Sequence, residues 1–144
     1  MTTVQISHSL QAEQAVLGGL LLDNVTWSGI SDHLVSKDFY QLEHQILFDQ
    51  IIKKIKKGEK VDALTLSEAV KTIPELKEIK GEIYVMELMK TTFSTSNIGA
   101  YVDIIKEHSN RRQLIEIGKL LNDYVMHKNS RETLGWLENK IQQP

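Results

Sequence analysis

The chain has 144 residues, a formal net charge of −2, and 41% hydrophobic and 25% charged side chains. This composition is typical of a soluble globular domain with one hydrophobic core. The chain contains no cysteine, which excludes disulfide bonds and thiolate metal sites. It has only two prolines and eight glycines, and residues that favour helices dominate.

The longest apolar run, from Ala15 to Leu22, is too short to span a membrane. It has eight residues, whereas a spanning helix needs about 20. Residues 1–10 contain no lysine or arginine, which a secretory signal would carry near its start. We therefore expect a cytoplasmic protein without membrane contacts.

The first predicted helix covers residues 9–22, with Ser9 as its N-cap. Gly18 and Gly19 lie in its interior, where each costs about 1 kcal/mol relative to alanine. They are not followed by the lysine and hydroxyl residue of a phosphate-binding loop. We expect the missing side chains to let another helix come close.

Four further helices are predicted before residue 91: over about 26–34, 42–57 and 65–71, and after Gly81. The third cannot continue through Pro74, because proline interrupts helical hydrogen bonding. These elements, together with the first helix, supply enough apolar side chains for one core.

The helix over residues 42–57 ends in a lysine-rich segment. Its candidates for weak DNA contact are Lys53, Lys54, Lys56 and Lys57. The alternative is a solvated helix end, where lysines complement the helix dipole and Gly58 stops the helix. No arginine or aromatic residue is interleaved, which favours the solvated helix end.

The last third of the chain predicts one long helix over residues 98–125 and a final helix that Ser130 caps. Eight polar residues, 106–113, divide the apolar positions of the long helix into two groups. The first group can pack on the core, but the second needs another partner. Either the two helices form a protruding hairpin that pairs with a second copy, or they fold back onto the core. The candidate self-association residues are Leu114, Ile117, Leu120, Tyr124, Leu134, Leu137 and Ile141.

No stretch of the sequence carries a recognisable catalytic, cofactor-binding or metal-binding motif. The five histidines are scattered, and none forms a zinc-binding HExxH pattern. Glu43 and His44 are adjacent, so their side chains diverge on a helix, and we expect a surface or core role for them.

Several segments, taken in order, resemble the N-terminal domain of bacterial replicative DNA helicases, the DnaB family. They are AEQAVLGGLLLDN (12–24), KDFYQLEHQILFDQI (37–51), GEKVDALTL (58–66), GEIYVMELM (81–89) and NIGAYVDIIKEHSNRRQLI (97–115). Ser7 and Phe93 replace prolines that are frequent in the family, and GEKVD replaces its frequent GxPVD. These departures fall in connections between helices.

The resemblance implies an all-α fold in two parts: a helical globular subdomain over residues 1–96, then a long helix and protruding hairpin over 97–144. It implies that the ATPase domain, with its ATP and magnesium, lies outside this chain. The full-length protein would be an ATP-dependent helicase, and these 144 residues would hold no cofactor. The resemblance also distinguishes the two glycines. Gly18 belongs to the family pattern, so Gly18→Leu should disrupt folding, whereas Gly19→Ala should be tolerated or mildly stabilising.

The resemblance implies partners as well. Hairpins pair, and the pairs assemble as a trimer of dimers into the collar of a hexamer that docks primase. The matching positions for primase are Tyr84, Ile115 and Leu121, each of which could instead belong to the core or the dimer seam. A helicase loader is a further candidate partner, and single-stranded DNA would be bound through the full-length protein.

Two other functions are compatible with the sequence. One is a stand-alone DNA-binding module that uses the lysines of residues 53–60. The other is the helicase-binding C-terminal domain of primase, which has a similar helical fold.

Overall fold

The computed structural model describes residues 6–127 and 130–142. Within these ranges the chain forms helices and contains no β-strand, which confirms the all-α class. Short 3₁₀ turns cover Asn24–Thr26 and Ser36–Asp38. None of the described helices has the length and apolarity that crossing a membrane requires. The helices are α1 (Leu10–Leu22), α2 (Trp27–Ile30), α3 (Leu42–Lys56), α4 (Ala63–Val70), α5 (Pro74–Lys77), α6 (Gly81–Lys90), α7 (Ile98–His127) and α8 (Ser130–Gln142).

Two elements differ from the sequence prediction. The helix expected over residues 26–34 is shorter, because the chain turns after α2 and brings Leu34 into the core, where it is 2% exposed. The helix α5 was not predicted. Pro74 ends the preceding helical pattern, but its fixed φ suits the first position of a new helix.

Side-chain and backbone caps set the helix ends. Ser9 Oγ accepts a hydrogen bond from the backbone N–H of Ala12 (3.2 Å), as predicted for the N-cap of α1. Asp62 caps α4 by accepting from the N–H of Thr65 (2.8 Å). Thr65 Oγ1 in turn accepts from the N–H of Asp62 (3.0 Å), which completes a capping box.

The lysine-rich end of α3 is closed by a Schellman motif. The N–H of Gly58 donates to the carbonyl of Ile55 (2.9 Å), and the N–H of Glu59 donates to that of Lys54 (3.1 Å). Gly58 has a φ of 77°, a left-handed conformation that glycine adopts without a Cβ penalty. Gly58 therefore stops the helix, as the sequence indicates.

The hydrophobic core is built around α1. Val16, Leu17 and Leu20 are fully buried, and α1 packs against both α3 and α6. Phe39, which precedes α3, is also fully buried and lies 4.9 Å from Phe48, measured between ring centroids. Residues 16–21 of α1 are all buried, so this helix is covered on every side and lies at the centre of the first unit.

Gly18 lies where the C-terminal end of α6 touches α1. A Cβ atom added to Gly18 would collide with Thr92 Oγ1 and would lie 2.9 Å from Thr92 Cβ and 3.1 Å from the Leu88 carbonyl oxygen. A Cβ on Gly19 would meet Ile98 Cδ1 at 2.9 Å, at the far end of a flexible side chain. The expected close approach at Gly18 is confirmed, and Gly19 has the more adaptable neighbour.

Asn24 ties the end of α1 to the connection before α4. Its Nδ2 donates to the carbonyl oxygens of Leu20 (2.7 Å) and Val61 (2.8 Å). Its Oδ1 accepts from the N–H of Val61 (2.9 Å). One amide thereby satisfies three backbone groups that helical hydrogen bonds leave unpaired.

Asp38 ties the 3₁₀ turn before α3 to α7. Its fully buried carboxylate accepts from the N–H of Val35 (2.9 Å) and from Ser109 Oγ (2.8 Å), and it pairs with Lys106 Nζ (3.1 Å). Burial raises the pKa of Asp38, but these hydrogen bonds and the lysine charge outweigh it and hold the pKa below its usual value.

Contacts divide the chain into two compact units, Met1–Ser109 and Asn110–Pro144, so that α7 contributes to both. Val102, Ile105 and Ser109 of α7 are buried in the first unit, which agrees with the expectation that the first apolar group packs on the core. The boundary between residues 96 and 97, inferred from the resemblance, stays a prediction.

The second unit is a helical hairpin. The rings of Tyr124 on α7 and Trp136 on α8 stack with their centroids 5.4 Å apart. A continuous helix would separate two residues with this spacing by about 18 Å, so α8 must reverse direction beside α7. Ser130, the predicted cap of the final helix, is the first residue of α8, and Lys128 and Asn129 lie outside the described residues.

Candidate partner-docking surfaces

Tyr84 is held in place by a chain of polar side chains that joins α1, α3 and α6. Its hydroxyl is hydrogen-bonded to His44 Nε2 (2.6 Å) and accepts from Gln14 Nε2 (3.1 Å). On the other side of the imidazole, His44 Nδ1 lies 2.7 Å from Glu13 Oε1. Both His44 and Glu13 are 1% exposed, whereas Tyr84 is half-buried.

Glu13 is the buried end of this chain. Its carboxylate also accepts hydrogen bonds from the backbone N–H groups of Tyr40 (2.8 Å) and Gln41 (3.3 Å), just before α3. Burial raises the pKa of Glu13, but the bond to His44 and the two backbone bonds outweigh it and place the pKa below its usual value. Glu13 is therefore an ionised carboxylate with its hydrogen-bonding needs met.

The arrangement favours a binding role for Tyr84 over a catalytic one. Burial raises the pKa of the Tyr84 phenol despite the hydrogen bond from Gln14, and the charges of Glu43, Glu13 and Glu87 raise it further. The phenol therefore stays protonated near neutral pH. A protonated phenol whose hydroxyl has two partners is a fixed surface feature rather than a nucleophile.

The sequence did not predict the pairing of Glu13 with His44. It drew attention to Glu43, the chain neighbour of His44, and expected a surface or core role for both. His44 is indeed buried, but its acidic partner comes from α1. The signal was present in the pattern: Glu13 shares the face of α1 that carries Val16 and Leu20, and an acidic residue on a buried face needs a partner.

A shallow cavity of about 300 Å³ opens beside Tyr84. It contains apolar walls, an aromatic ring and a carboxylate within one recess. Its lining residues are Leu10, Gln14, Gln41, Glu43, His44, Ile79 and Tyr84.

The second unit exposes large apolar side chains along both helices. Among its described residues, only Thr133 is buried. Tyr124, Leu121 and Leu137 are half-buried. The exposed predicted self-association residues are Leu114, Ile117, Leu120, Leu134 and Ile141, with exposed fractions between 51% and 75%.

The predicted primase-docking residues come from both units. Tyr84 belongs to the first unit, and Ile115 and Leu121 belong to the second. Ile115 is 42% exposed and Leu121 is half-buried, so both present apolar surface within their own unit. Their assignment to primase stays a prediction.

The lysines of α3 occupy the positions of a helix end. Lys53, Lys54 and Lys56 lie in its last turn, and Lys57 is its C-cap. Lys54 Nζ is 3.7 Å from a carboxylate oxygen of Glu59, a weak surface pair. Contact of these lysines with DNA stays a prediction. Within the described residues, no group of three or more histidine and acidic side chains is placed to hold a metal ion.

Comparisons with a family model and with curated relatives point to the same protein family. The model described as "DnaB-like helicase N terminal domain" matches residues 5–107. The replicative DNA helicase DnaB of Buchnera aphidicola subsp. Baizongia pistaciae is 38% identical over 141 residues, which cover 96% of this chain and 30% of that protein. DnaB of Haemophilus influenzae is 37% identical over 119 residues, covering 81% of this chain and 25% of that protein. The chain therefore spans less than a third of the length of these curated relatives.

Solved structures show the same fold. The crystal structure of the N-terminal domain of DnaB helicase from Mycobacterium tuberculosis superposes with a TM-score of 0.83 at 31% identity, covering 95% of this chain and 98% of that one. A DnaB-like replicative helicase, described together with its interactions with primase, superposes with a TM-score of 0.72 at 24% identity. That match covers 91% of this chain and 31% of the other, and it supports the fold alone. From the family model and the similarity to the mycobacterial domain, we conclude that this chain belongs to the DnaB-like helicase N-terminal domain family.

Proposed function

We propose that this chain is the assembly and partner-docking domain of a replicative DNA helicase. In this proposal it pairs with a second copy through its hairpin and docks primase. The pairs form the hexamer collar as a trimer of dimers in the full-length protein, where a helicase loader is a further candidate partner. ATP, magnesium and single-stranded DNA are bound by the full-length helicase. Family membership supports this role and argues against the C-terminal domain of primase.

The observation that carries the assembly role is the composition of the hairpin surface. Within the described part of the second unit only Thr133 is buried, so the hairpin has no apolar core of its own. It nevertheless carries a row of exposed leucine and isoleucine side chains. Exposed apolar surface of this kind marks an interaction site. A two-fold pairing of identical hairpins would cover the same residues on both copies.

Sedimentation equilibrium of the whole chain tests this assembly. We expect a concentration-dependent dimer, and we expect Leu120→Asp to shift it towards monomer because a carboxylate would be buried at the seam. Asn122→Asp is the matched control: it creates the same side chain on the opposite side of α7 and should leave the dimer intact. A wild-type chain that stays monomeric at high concentration would contradict the proposal.

Primase docking is supported by family membership and by the fixed position of Tyr84 beside an open cavity. The test is the affinity of the chain for the helical C-terminal domain of primase from the same organism. We expect Ile115→Ala and Leu121→Ala to weaken binding, whereas Val25→Ala, at an exposed site of the first unit, should not. Equal affinities for all three variants would show that Ile115 and Leu121 do not contribute to primase binding.

A further inference from the structure

We propose that the cavity beside Tyr84 binds the cationic end of an arginine or lysine side chain supplied by the docking partner. This inference rests on the proposed function, because it specifies the chemistry of the partner at that surface. It follows from three properties of the cavity: its apolar walls, its unpaired carboxylate and the negative charge around its phenol.

The walls of the cavity suit the stem of a long basic side chain. The apolar part of the wall is formed by Leu10 and Ile79, which are partly exposed, and by the half-buried ring of Tyr84. Arginine and lysine bury their methylene stems along apolar surface while the charged end reaches polar groups. A volume of about 300 Å³ accommodates one such side chain.

Glu43 supplies the charge. It lies in the first turn of α3 and lines the cavity beside Tyr84. The carboxylates of Glu13 and Asp38 have hydrogen-bond partners, but within the described part of the chain the half-buried Glu43 carboxylate has no hydrogen bond or ion pair. A lining carboxylate without an internal partner is available to a cation from outside.

The electrostatic surroundings favour a cation over an anion. Three acidic residues, Glu43, Glu13 and Glu87, place negative charge near the Tyr84 hydroxyl. A phosphate or carboxylate group would be repelled there. A guanidinium or ammonium group would instead pair with the Glu43 carboxylate.

A titration with a small probe tests the cavity independently of primase. We would add N-acetyl-arginine methylamide to the whole chain and follow the NMR signals of the Tyr84 ring. The matched neutral probe is N-acetyl-citrulline methylamide, which has nearly the same shape without the charge. We expect saturable shifts with arginine only, lost in Glu43→Gln and retained in Asp32→Asn, which removes an exposed carboxylate elsewhere in the first unit. Absent shifts, or equal shifts with both probes, would overturn the proposal.

The partner is tested by the affinity for the primase domain. We expect Glu43→Gln to weaken binding about tenfold at low salt, with the loss shrinking as salt screens the pair. Asp32→Asn should bind like the wild type. If both variants bind primase equally well, the inference is wrong while the proposed docking stands.

Two further outcomes separate the inference from the function on which it rests. If the wild-type chain does not bind primase at all, the proposed docking fails, and the arginine titration alone decides whether the cavity takes a cation. If Glu43→Gln weakens self-association instead of primase binding, a second copy of the chain fills the cavity, and the assignment to a partner is overturned.

Discussion

At the scale of single residues, the fold depends on two buried carboxylates that remain ionised. Glu13 joins three helices through His44, and Asp38 holds α7 through Lys106 and Ser109. In both cases hydrogen bonds outweigh burial and lower the pKa in the folded chain. Each carboxylate therefore makes the free energy of unfolding depend on pH in the acidic range.

We expect the free energy of unfolding to fall as the pH drops below about 4.5, the usual pKa of a glutamate. The folded-state pKa values are depressed, so the stabilisation is complete above the unfolded values and is lost as pH falls through the folded ones. Urea unfolding at several pH values measures this. Glu13→Gln should cost roughly 1.5–3 kcal/mol at pH 7, because it removes the charge that strengthens the buried hydrogen bonds to His44 and to two backbone N–H groups. The same substitution should flatten the acid dependence. An unchanged slope in this variant would contradict the role of Glu13.

Gly18 permits the closest contact between α1 and α6. We expect even Gly18→Ala to destabilise the chain by about 1–3 kcal/mol, because the new methyl group meets both Thr92 and the Leu88 carbonyl. Thr92 cannot easily rotate away, since its hydroxyl donates to that same carbonyl (2.8 Å). Gly18→Leu should prevent folding.

Gly19→Ala is the internal control for this prediction. Only the end of the Ile98 side chain must move, while the helix gains about 1 kcal/mol in propensity. Thermal melts of the two alanine variants compare the sites. Equal melting temperatures would show that close packing does not distinguish these glycines.

At the scale of helices, most elements could be predicted because their apolar periodicity and caps agree. Ser9 indicated the start of α1, and Gly58 indicated the end of α3. The uninterrupted helical pattern after Ile98 indicated the length of α7. The four-residue α5 could not be predicted, because one turn has too few apolar positions to show a period. The pattern of α1 indicates that Glu13 needs a buried partner, but the choice of His44 depends on a contact between distant segments, which a local pattern does not encode.

Lys80, just before α6, adopts a left-handed conformation with a φ of 53°. This conformation is strained for a residue with a Cβ. The neighbouring glycine, Gly81, does not relieve this strain, because it lies one position later, where its missing side chain lets α6 come close to Leu76. We expect Lys80→Gly to stabilise the chain by roughly 0.5–1 kcal/mol, after allowing for the greater freedom of glycine in the unfolded chain. Urea unfolding measures the change. Lys77→Gly, within α5, should destabilise, and a loss of stability in both variants would contradict the strain at Lys80.

At the scale of the whole molecule, a hairpin without its own core links stability to association. If two copies pair, a hundredfold increase in protein concentration should stabilise the folded dimer by about 2.7 kcal/mol. We therefore expect the melting temperature of the wild-type chain to rise by several degrees over that range. The melting temperature of Leu120→Asp should not change with concentration. A wild-type melting temperature independent of concentration would argue that the hairpin is covered within one chain.

Asn24 shows how little chemical change the fold can absorb at one position. Asparagine and aspartate have nearly the same shape, yet the Nδ2 of Asn24 faces two carbonyl oxygens. Replacing that amino group by an oxygen, as Asn24→Asp or spontaneous deamidation does, would set a negative atom against both. We expect Asn24→Asp to lower the melting temperature more than Asn24→Ala, although aspartate is the closer mimic in volume. The isosteric substitution would then be the harsher one, and chemical ageing of a single amide would weaken the attachment of α1 to the segment between α3 and α4.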